Sequence, residues 1–282
     1  MQIFKTKREL RQFARDVRHD GKTIALVPTM GFLHAGHLSL IDIAREKADV
    51  VIVSVFVNPT QFAPNEDFDA YPRDFERDAK LCEARGVDAV FAPEPEEMYS
   101  PDASTFVSET MLSRPLCGAS RPTFFRGVTT VVSKLFLLVL PDFAIFGEKD
   151  AQQLFVVKKM VRDLDFPIEI VGGKLIRDDD GLALSSRNRY LSADERTRAL
   201  SIHRALVAAK NAILSGKTPI DAALEEAKKT IAAAGGKIDY VSALDVADFE
   251  PPTEKTKRLI VAAAAFFGTT RLIDNEMFDW ER

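Results

Sequence analysis

Up to about residue 171 the chain alternates two textures. Short, almost wholly apolar runs rich in β-branched residues fall at 23–27, 50–57, 89–92, 143–146 and 168–171. Between several of them, at 38–47, 73–85, 128–140 and 151–163, apolar positions recur every three or four residues. The first texture is that of strands covered on both faces, the second that of amphipathic helices. Their alternation predicts an α/β fold with a Rossmann-like, doubly wound parallel sheet. After residue 175 the texture changes. Ser192-Ala-Asp-Glu195 is a capping box that opens a helix to about residue 214, and Thr218-Pro219 opens another that Gly235-Gly236 closes. Apolar runs at 238–244, 258–267 and 272–275 then follow with no helix between them. This predicts a smaller α+β domain with an antiparallel sheet. The expected domains are 1–175 and 176–282, the second serving as a lid.

The junction after the first run carries the strongest chemical signal. Thr29-Met-Gly-Phe-Leu-His34-Ala-Gly-His37 sets two imidazoles at a turn into a helix, three residues apart and on one face. A helix start offers unpaired N–H groups and the positive end of a dipole, which together favour an anion. Gly36 has no Cβ to hold a ligand away from the backbone. Shuffling this composition would produce His-x-Gly-His in roughly 0.3% of chains, so coincidence is a minor rival. Two structural histidines on a helix are the plain alternative. A zinc site is weaker still, because no third ligand follows at a suitable spacing.

Ligands of parallel sheets bind beyond the carboxyl ends of the strands, and three further segments lie there or in irregular loops. Asn58 and Gln61, in Val57-Asn-Pro-Thr-Gln61, offer amides suited to a substrate with hydroxyls and a carboxylate. Gly147, Lys149 and Asp150 stand where a strand gives way to a helix. A lysine at a helix start opposes the dipole, so a phosphate is its expected partner, with Asp150 a cap or a ribose acceptor. Ser185, Ser186 and Arg187 follow a glycine-bearing loop and could wrap a triphosphate, or simply lead into the next helix. Arg121 and Arg126 either anchor an anion or form surface ion pairs. Asp178–Asp180 reads as a hydrated turn rather than a cation site.

Composition narrows the partners. A formal net charge of −4 over 282 residues provides no footprint for nucleic acid. No apolar run approaches a membrane span, and the N-terminus lacks the apolar core of a secretory signal. Two cysteines, Cys82 and Cys117, are too few for a disulfide framework and fit a reducing cytoplasm.

Taken together these segments resemble the pantoate–β-alanine ligases (pantothenate synthetases), within the HxGH nucleotidyltransferase superfamily. The likeness spans nearly the whole chain. Besides the histidine motif, it includes Val57-Asn-Pro-Thr-Gln-Phe62, Tyr71-Pro-Arg73, Gly118-Ala-Ser-Arg-Pro122, Phe125-Arg-Gly-Val128, Phe146-Gly-Glu-Lys-Asp150 with Gln152-Gln153, Gly181-Leu-Ala-Leu-Ser-Ser-Arg-Asn188 and Arg271-Leu-Ile-Asp-Asn275. Thr123-Phe124 departs from the Gly-His common in the family. The resemblance implies ATP-dependent joining of pantoate and β-alanine through a pantoyl-adenylate. It implies His34, His37 and Lys149 as the catalytic set. It implies nucleotide contacts from Met30, Gly31, Gly36, Gly147, Glu148, Asp150, Ile176, Leu184, Ser185, Ser186 and Arg187. Asn58, Gln61 and Gln153 would hold pantoate and β-alanine. Mg²⁺ would arrive with ATP, no protein metal cage is expected, and the enzyme would be a cytoplasmic homodimer. The rivals are a related nucleotidyltransferase that releases a dinucleotide rather than AMP, and a nucleotide-binding module without catalysis.

Overall fold

The structure is a computed structural model that describes residues 1–64 and 66–280. By contact density it divides into two compact units. One comprises Met1–Ser113, Arg121–Glu148 and Gln152–Lys174; the other comprises Arg114–Ser120, Lys149–Ala151 and Leu175–Arg282.

The first unit is built on a six-stranded sheet of β1 (Gln2–Phe4), β2 (Ile24–Thr29), β3 (Val50–Val55), β4 (Ala89–Phe91), β5 (Phe143–Gly147) and β6 (Glu169–Gly173). All neighbours run parallel, in the order β1-β4-β3-β2-β5-β6. The helices are α1 (Lys7–His19), α2 (Ala35–Lys47), α3 (Phe75–Ala84), α4 (Pro95–Met98), α5 (Cys117–Ser120, grouped with the second unit), α6 (Phe124–Val139) and α7 (Ala151–Asp163). The central strands are buried along both faces, with Ile24 through Val27 and Val51 through Val53 fully covered, which is why their runs show no polar alternation. The chain moves outward through β2, β3 and β4, then returns to place β5 on the other side of β2. That reversal opens a crevice between the carboxyl ends of β2 and β5. Met30 and Gly147 stand at its two edges, and α2 begins a few residues past Met30.

The alternating pattern missed β1 and α1. β1 is a three-residue, largely exposed edge strand paired only with β4, too short to show a period. α1 buries a thin stripe of Leu10, Ala14 and Val17 behind a Thr6–Glu9 capping box, amid mostly charged neighbours. Helix α6 starts four residues earlier than its apolar run suggests, because Phe125 and Gly127 are buried too.

In the second unit β7 (Lys237–Asp245), β8 (Arg258–Phe267) and β9 (Thr270–Asp279) form an antiparallel sheet, with α8 (Ala193–Leu214) and α9 (Ile220–Ala233) in the same core. Val261, Ala263, Ala265 and Phe267 on β8 share that core with Ala199, Ile202, Ala205 and Leu206 on α8. Alanines on both elements let the helix lie close to the sheet. Ser192 and Glu195 make the capping box that starts α8.

Candidate active site

The turn between β2 and α2 is over-determined. Gly31 and Phe32 both take left-handed backbone, φ 79° and 49°. Phe32 is not a glycine, so this conformation needs support from its surroundings. Asp78, on α3, supplies it: its two carboxylate oxygens accept from the N–H groups of Phe32 at 2.6 Å and Leu33 at 2.7 Å. A Cβ on Gly31 would lie 3.0 Å from Val55 and 3.1 Å from an Asp78 oxygen, so glycine is needed for space as well as for φ. Asp78 is 1% exposed. Burial raises its pKa above the ordinary carboxylate value, while the bonds from Leu33 and Phe32 and the nearby Arg77 pull the other way.

This turn delivers His34 as the N-cap of α2 and His37 into its first turn. His34 Nδ1 accepts from the Gly36 N–H at 3.2 Å, and His37 Nδ1 accepts from the His34 N–H at 3.3 Å. The rings lie side by side, centroids 4.1 Å apart. Backbone N–H groups can only donate, so both Nδ1 atoms are acceptors and each neutral ring carries its hydrogen on Nε2. Two imidazole rings thus stand at the start of a helix, beside the positive end of its dipole, an arrangement suited to a phosphate.

Asn58 and Gln61 lie on the 3-10 turn Pro59–Gln61 that follows β3. Both are buried, 1% and 8% exposed. Asn58 Oδ1 accepts from the Thr60 N–H at 3.3 Å, the Thr60 hydroxyl at 2.9 Å and the Tyr99 hydroxyl at 2.9 Å. Its Nδ2 donates to the Gly127 carbonyl at 3.1 Å and to Gln61 Oε1 at 2.9 Å. Every hydrogen-bonding position of Asn58 is therefore occupied inside the protein. One of these bonds braces Gln61. Helix α6 comes so close that a Cβ on Gly127 would sit 2.4 Å from the Thr60 carbonyl oxygen. Burial raises the Tyr99 pKa, opposed by its bonds to Thr60 and Asn58, so the phenol remains protonated at neutral pH.

Arg121 resolves to an ion pair. Its guanidinium binds both carboxylate oxygens of Glu66, at 2.5 and 2.6 Å, and the Gln61 carbonyl at 2.9 Å, and it stacks 3.9 Å from the Phe124 ring centroid. Arg126 lies over the Phe106 ring, 4.9 Å from its centroid. Of the glutamine pair on α7, Gln152 is buried and donates to the Leu112 carbonyl at 2.8 Å, while Gln153 is partly exposed. Gly147 ends β5, and Glu148 opens the 3-10 turn Glu148–Asp150.

In the second unit, Lys149 Nζ lies 3.8 Å from Asp150 Oδ1, and the Lys149 carbonyl accepts from Asn275 Nδ2 at 3.0 Å. The loop after residue 175 is a small hairpin. The Leu184 N–H donates to the Ile176 carbonyl at 3.1 Å, Arg177 bridges Ala183, and Gly181 takes a φ of 94° at the tip. Arg177 clamps Asp274 with two bonds, at 2.6 and 3.0 Å. Ser185 caps the 3-10 turn Ser186–Tyr190 through the Arg187 N–H at 3.3 Å. Asp178 and Asp180 both pair with Arg196 at 2.9 Å, so this acidic run has a cationic partner already. Among the described residues no cluster of His, Cys, Asp and Glu could hold a metal ion, and no helix is long and apolar enough to cross a membrane. Cys82 and Cys117 are buried and unpaired by disulfide; burial pushes the Cys82 thiol up to about 12, so it stays a protonated core side chain.

Sequence reading missed Asp78 and Tyr99, and it met Gly127 only as part of a motif, without its packing against Thr60. Asp78 sits 45 residues from the amide of Leu33 it holds, and Tyr99 sits 41 residues from Asn58. Neither belongs to a local motif that could have shown the pairing.

Known proteins resemble this chain over almost its full length. The pantoate–β-alanine ligase family model matches residues 2–277. The pantothenate synthetase of Thermotoga petrophila is 52% identical over 276 residues, covering 98% of this chain and 99% of its own. That of Moorella thermoacetica is 51% identical over 280 residues, covering 99% of both. Among solved structures, pantothenate synthetase from Thermus thermophilus superposes with a TM-score of 0.92 at 44% identity, covering 98% of this chain and 99% of its own. The Francisella tularensis ligase, solved in complex with a β,γ-ATP compound and β-alanine, gives a TM-score of 0.83 at 32% identity over 98% and 97% of the two chains. With six parallel strands, a histidine-capped helix at their switch point and these relatives over almost its full length, the chain belongs to the pantoate–β-alanine ligase family.

Proposed function

We propose that the histidine-capped start of α2 is where this ligase activates pantoate with ATP. A pantoate carboxylate oxygen attacks the α-phosphorus, forming the pantoyl-adenylate and releasing pyrophosphate. The β-alanine amine then attacks the acyl carbon. The C–O bond to phosphate breaks, AMP leaves, the amine gives up a proton, and the amide of pantothenate remains. The observation that carries this reading is the pair of Nε2–H donors set by backbone bonds to His34 and His37. Donors whose tautomer is preset in this way need little reorganisation as charge builds on the α-phosphate oxygens. Holding the carboxylate in line with phosphorus can remove several kcal/mol, of the order of 7–11, from the barrier.

In this reading Met30, Gly31 and Gly36 let the phosphates approach the backbone of the turn. Gln61 and Gln153 hold pantoate. Gly147, Glu148, Lys149 and Asp150 serve the nucleotide, Lys149 as a point charge on phosphate. Ile176 and Leu184 pack by the adenine, and Ser185, Ser186 and Arg187 serve the phosphates. Residues 1–175 and 176–282 act as a binding domain and a lid. Mg²⁺ enters with ATP, bound to phosphate oxygens and water. The enzyme works as a homodimer in the cytoplasm, which sedimentation and cell fractionation test.

The decisive assay omits each substrate in turn. AMP should accumulate only when ATP, pantoate and β-alanine are all present, while ATP and pantoate alone should release one equivalent of pyrophosphate per site. AMP at the full rate without pantoate or without β-alanine would overturn the reading. A stable dinucleotide product would favour the related nucleotidyltransferase chemistry.

A further inference from the structure

The polarity of the buried amide chain at Asn58 can be worked out from backbone groups alone. One end of the Asn58 amide faces the Thr60 N–H, which can only donate; the other faces the Gly127 carbonyl, which can only accept. The first must be Oδ1 and the second Nδ2, with no freedom to flip. The remaining Nδ2 hydrogen points at Gln61, 2.9 Å away, so the Gln61 atom there must be its oxygen. Gln61 is 8% exposed and Asn58 1%, so water does not offer a cheap alternative partner. It follows that Gln61 turns its Nε2 away from Asn58, and Nε2 has no protein partner among the described residues. Tyr99 closes the other end of the chain. Its hydroxyl donates to Asn58 Oδ1 at 2.9 Å and lies 3.4 Å from the Thr60 hydroxyl. Lys134 stands 5.5 Å from the Tyr99 ring centroid and holds the phenol's face.

We propose that Tyr99 and Asn58 are positioning residues that lock the Gln61 amide with its N–H donors toward the hydroxy-acid substrate, so that the substrate oxygen meeting Gln61 must act as an acceptor. This rests on the reading of Gln61 as a pantoate contact. Neither Tyr99 nor Asn58 touches substrate in this arrangement. They set which of two nearly isosteric faces of Gln61 the substrate meets. A flipped amide would present a carbonyl oxygen to an acceptor and repel it. An acceptor-specific contact built in this way discriminates more sharply than apolar packing, because a mismatch leaves a buried group unpaired.

Three variants test this, each read as separate KM values for pantoate, ATP and β-alanine. Gln61→Ala should raise the pantoate KM at least about tenfold. Asn58→Asp cannot donate to Gln61, so the Gln61 amide reverses; the pantoate KM should again rise about tenfold or more while the ATP KM stays within about twofold. Tyr99→Phe keeps the ring in its place and removes only the hydroxyl; a rise of about three- to tenfold, confined to pantoate, is expected. This variant carries the test if Asn58→Asp does not fold. A general loss of structure would move all three KM values or the melting temperature, whereas the lock moves one. If Gln61→Ala raises the pantoate KM but neither Tyr99→Phe nor a folded Asn58→Asp does, the lock is overturned and the Gln61 contact stands. If Gln61→Ala leaves the pantoate KM unchanged, the underlying contact is wrong and the lock falls with it.

Discussion

His34 and His37 cap one helix between them: the His34 backbone N–H is bound by the ring of His37, and the His34 ring binds the N–H of Gly36, at 3.3 and 3.2 Å. A serine or aspartate would cap as well. Imidazole satisfies the backbone with one nitrogen and carries an N–H on the other, which aspartate does not. His37→Ala should therefore cost about 10²–10³ in kcat through loss of a phosphate donor. Its loss as a cap should cost no more than about 0.5–2 kcal/mol of stability. Steady-state kinetics and urea melts on the same preparation separate the two effects. A variant that fails to fold would make the histidine structural.

Gly127 marks where α6 meets the Pro59–Gln61 turn. Gly127→Ala would drive a Cβ into the Thr60 carbonyl at 2.4 Å, a backbone atom that cannot rotate away. We expect about 1–3 kcal/mol of destabilisation. The surviving enzyme should have a raised pantoate KM, because the displaced turn carries Gln61. Wild-type stability and kinetics in this variant would show that the turn yields freely.

Asp78 gives a pH signature with a definite sign. Its folded pKa is raised, so between its unfolded and folded values the native state binds more protons than the unfolded chain. Stability then falls as pH rises through that window and levels off above it. Asp78→Asn should abolish this step in urea melts taken across acidic pH. It should also cost about 1–3 kcal/mol at neutral pH, because an amide can accept with only one atom and leaves the Phe32 or Leu33 N–H unpaired. An unaltered stability profile would remove Asp78 from its place under the turn.

In the second unit Asp274 is the matching weak point. Its side chain is 4% exposed and takes both bonds of the Arg177 fork. Asp274→Ala should destabilise by about 1–3 kcal/mol, because Arg177 loses its two bonds to Asp274 and keeps only Glu276 at 3.3 Å and the Gly181 carbonyl at 3.2 Å. It should also loosen the hairpin that pairs Ile176 with Leu184. Equilibrium unfolding measures the first effect, and amide exchange at Leu184 the second.

Lys149→Ala tests the nucleotide side. If its ammonium meets a phosphate, the ATP KM should rise about tenfold or more with the pantoate KM nearly unchanged. An unchanged ATP KM would take Lys149 out of the phosphate site.

Much of the architecture was legible because it rests on local periodicity. Runs such as 50–55, covered on both faces of a parallel sheet, have no choice but to be continuously apolar, and Ser192 with Glu195 announces α8 within four residues. The order of strands, and so the crevice between β2 and β5, is not local. It depends on which edge each crossover reaches, and the tertiary structure decided it. Residue chemistry divides the same way. The sequence alone put two imidazoles at a helix start and an Asn and a Gln on one turn. It could not say that each Nδ1 would be spent on the backbone, or that Asn58 would be saturated by Tyr99, Thr60, Gly127 and Gln61. The polarity of a hydrogen bond is decided by whichever group stands opposite, and here that group comes from as far as 69 residues along the chain.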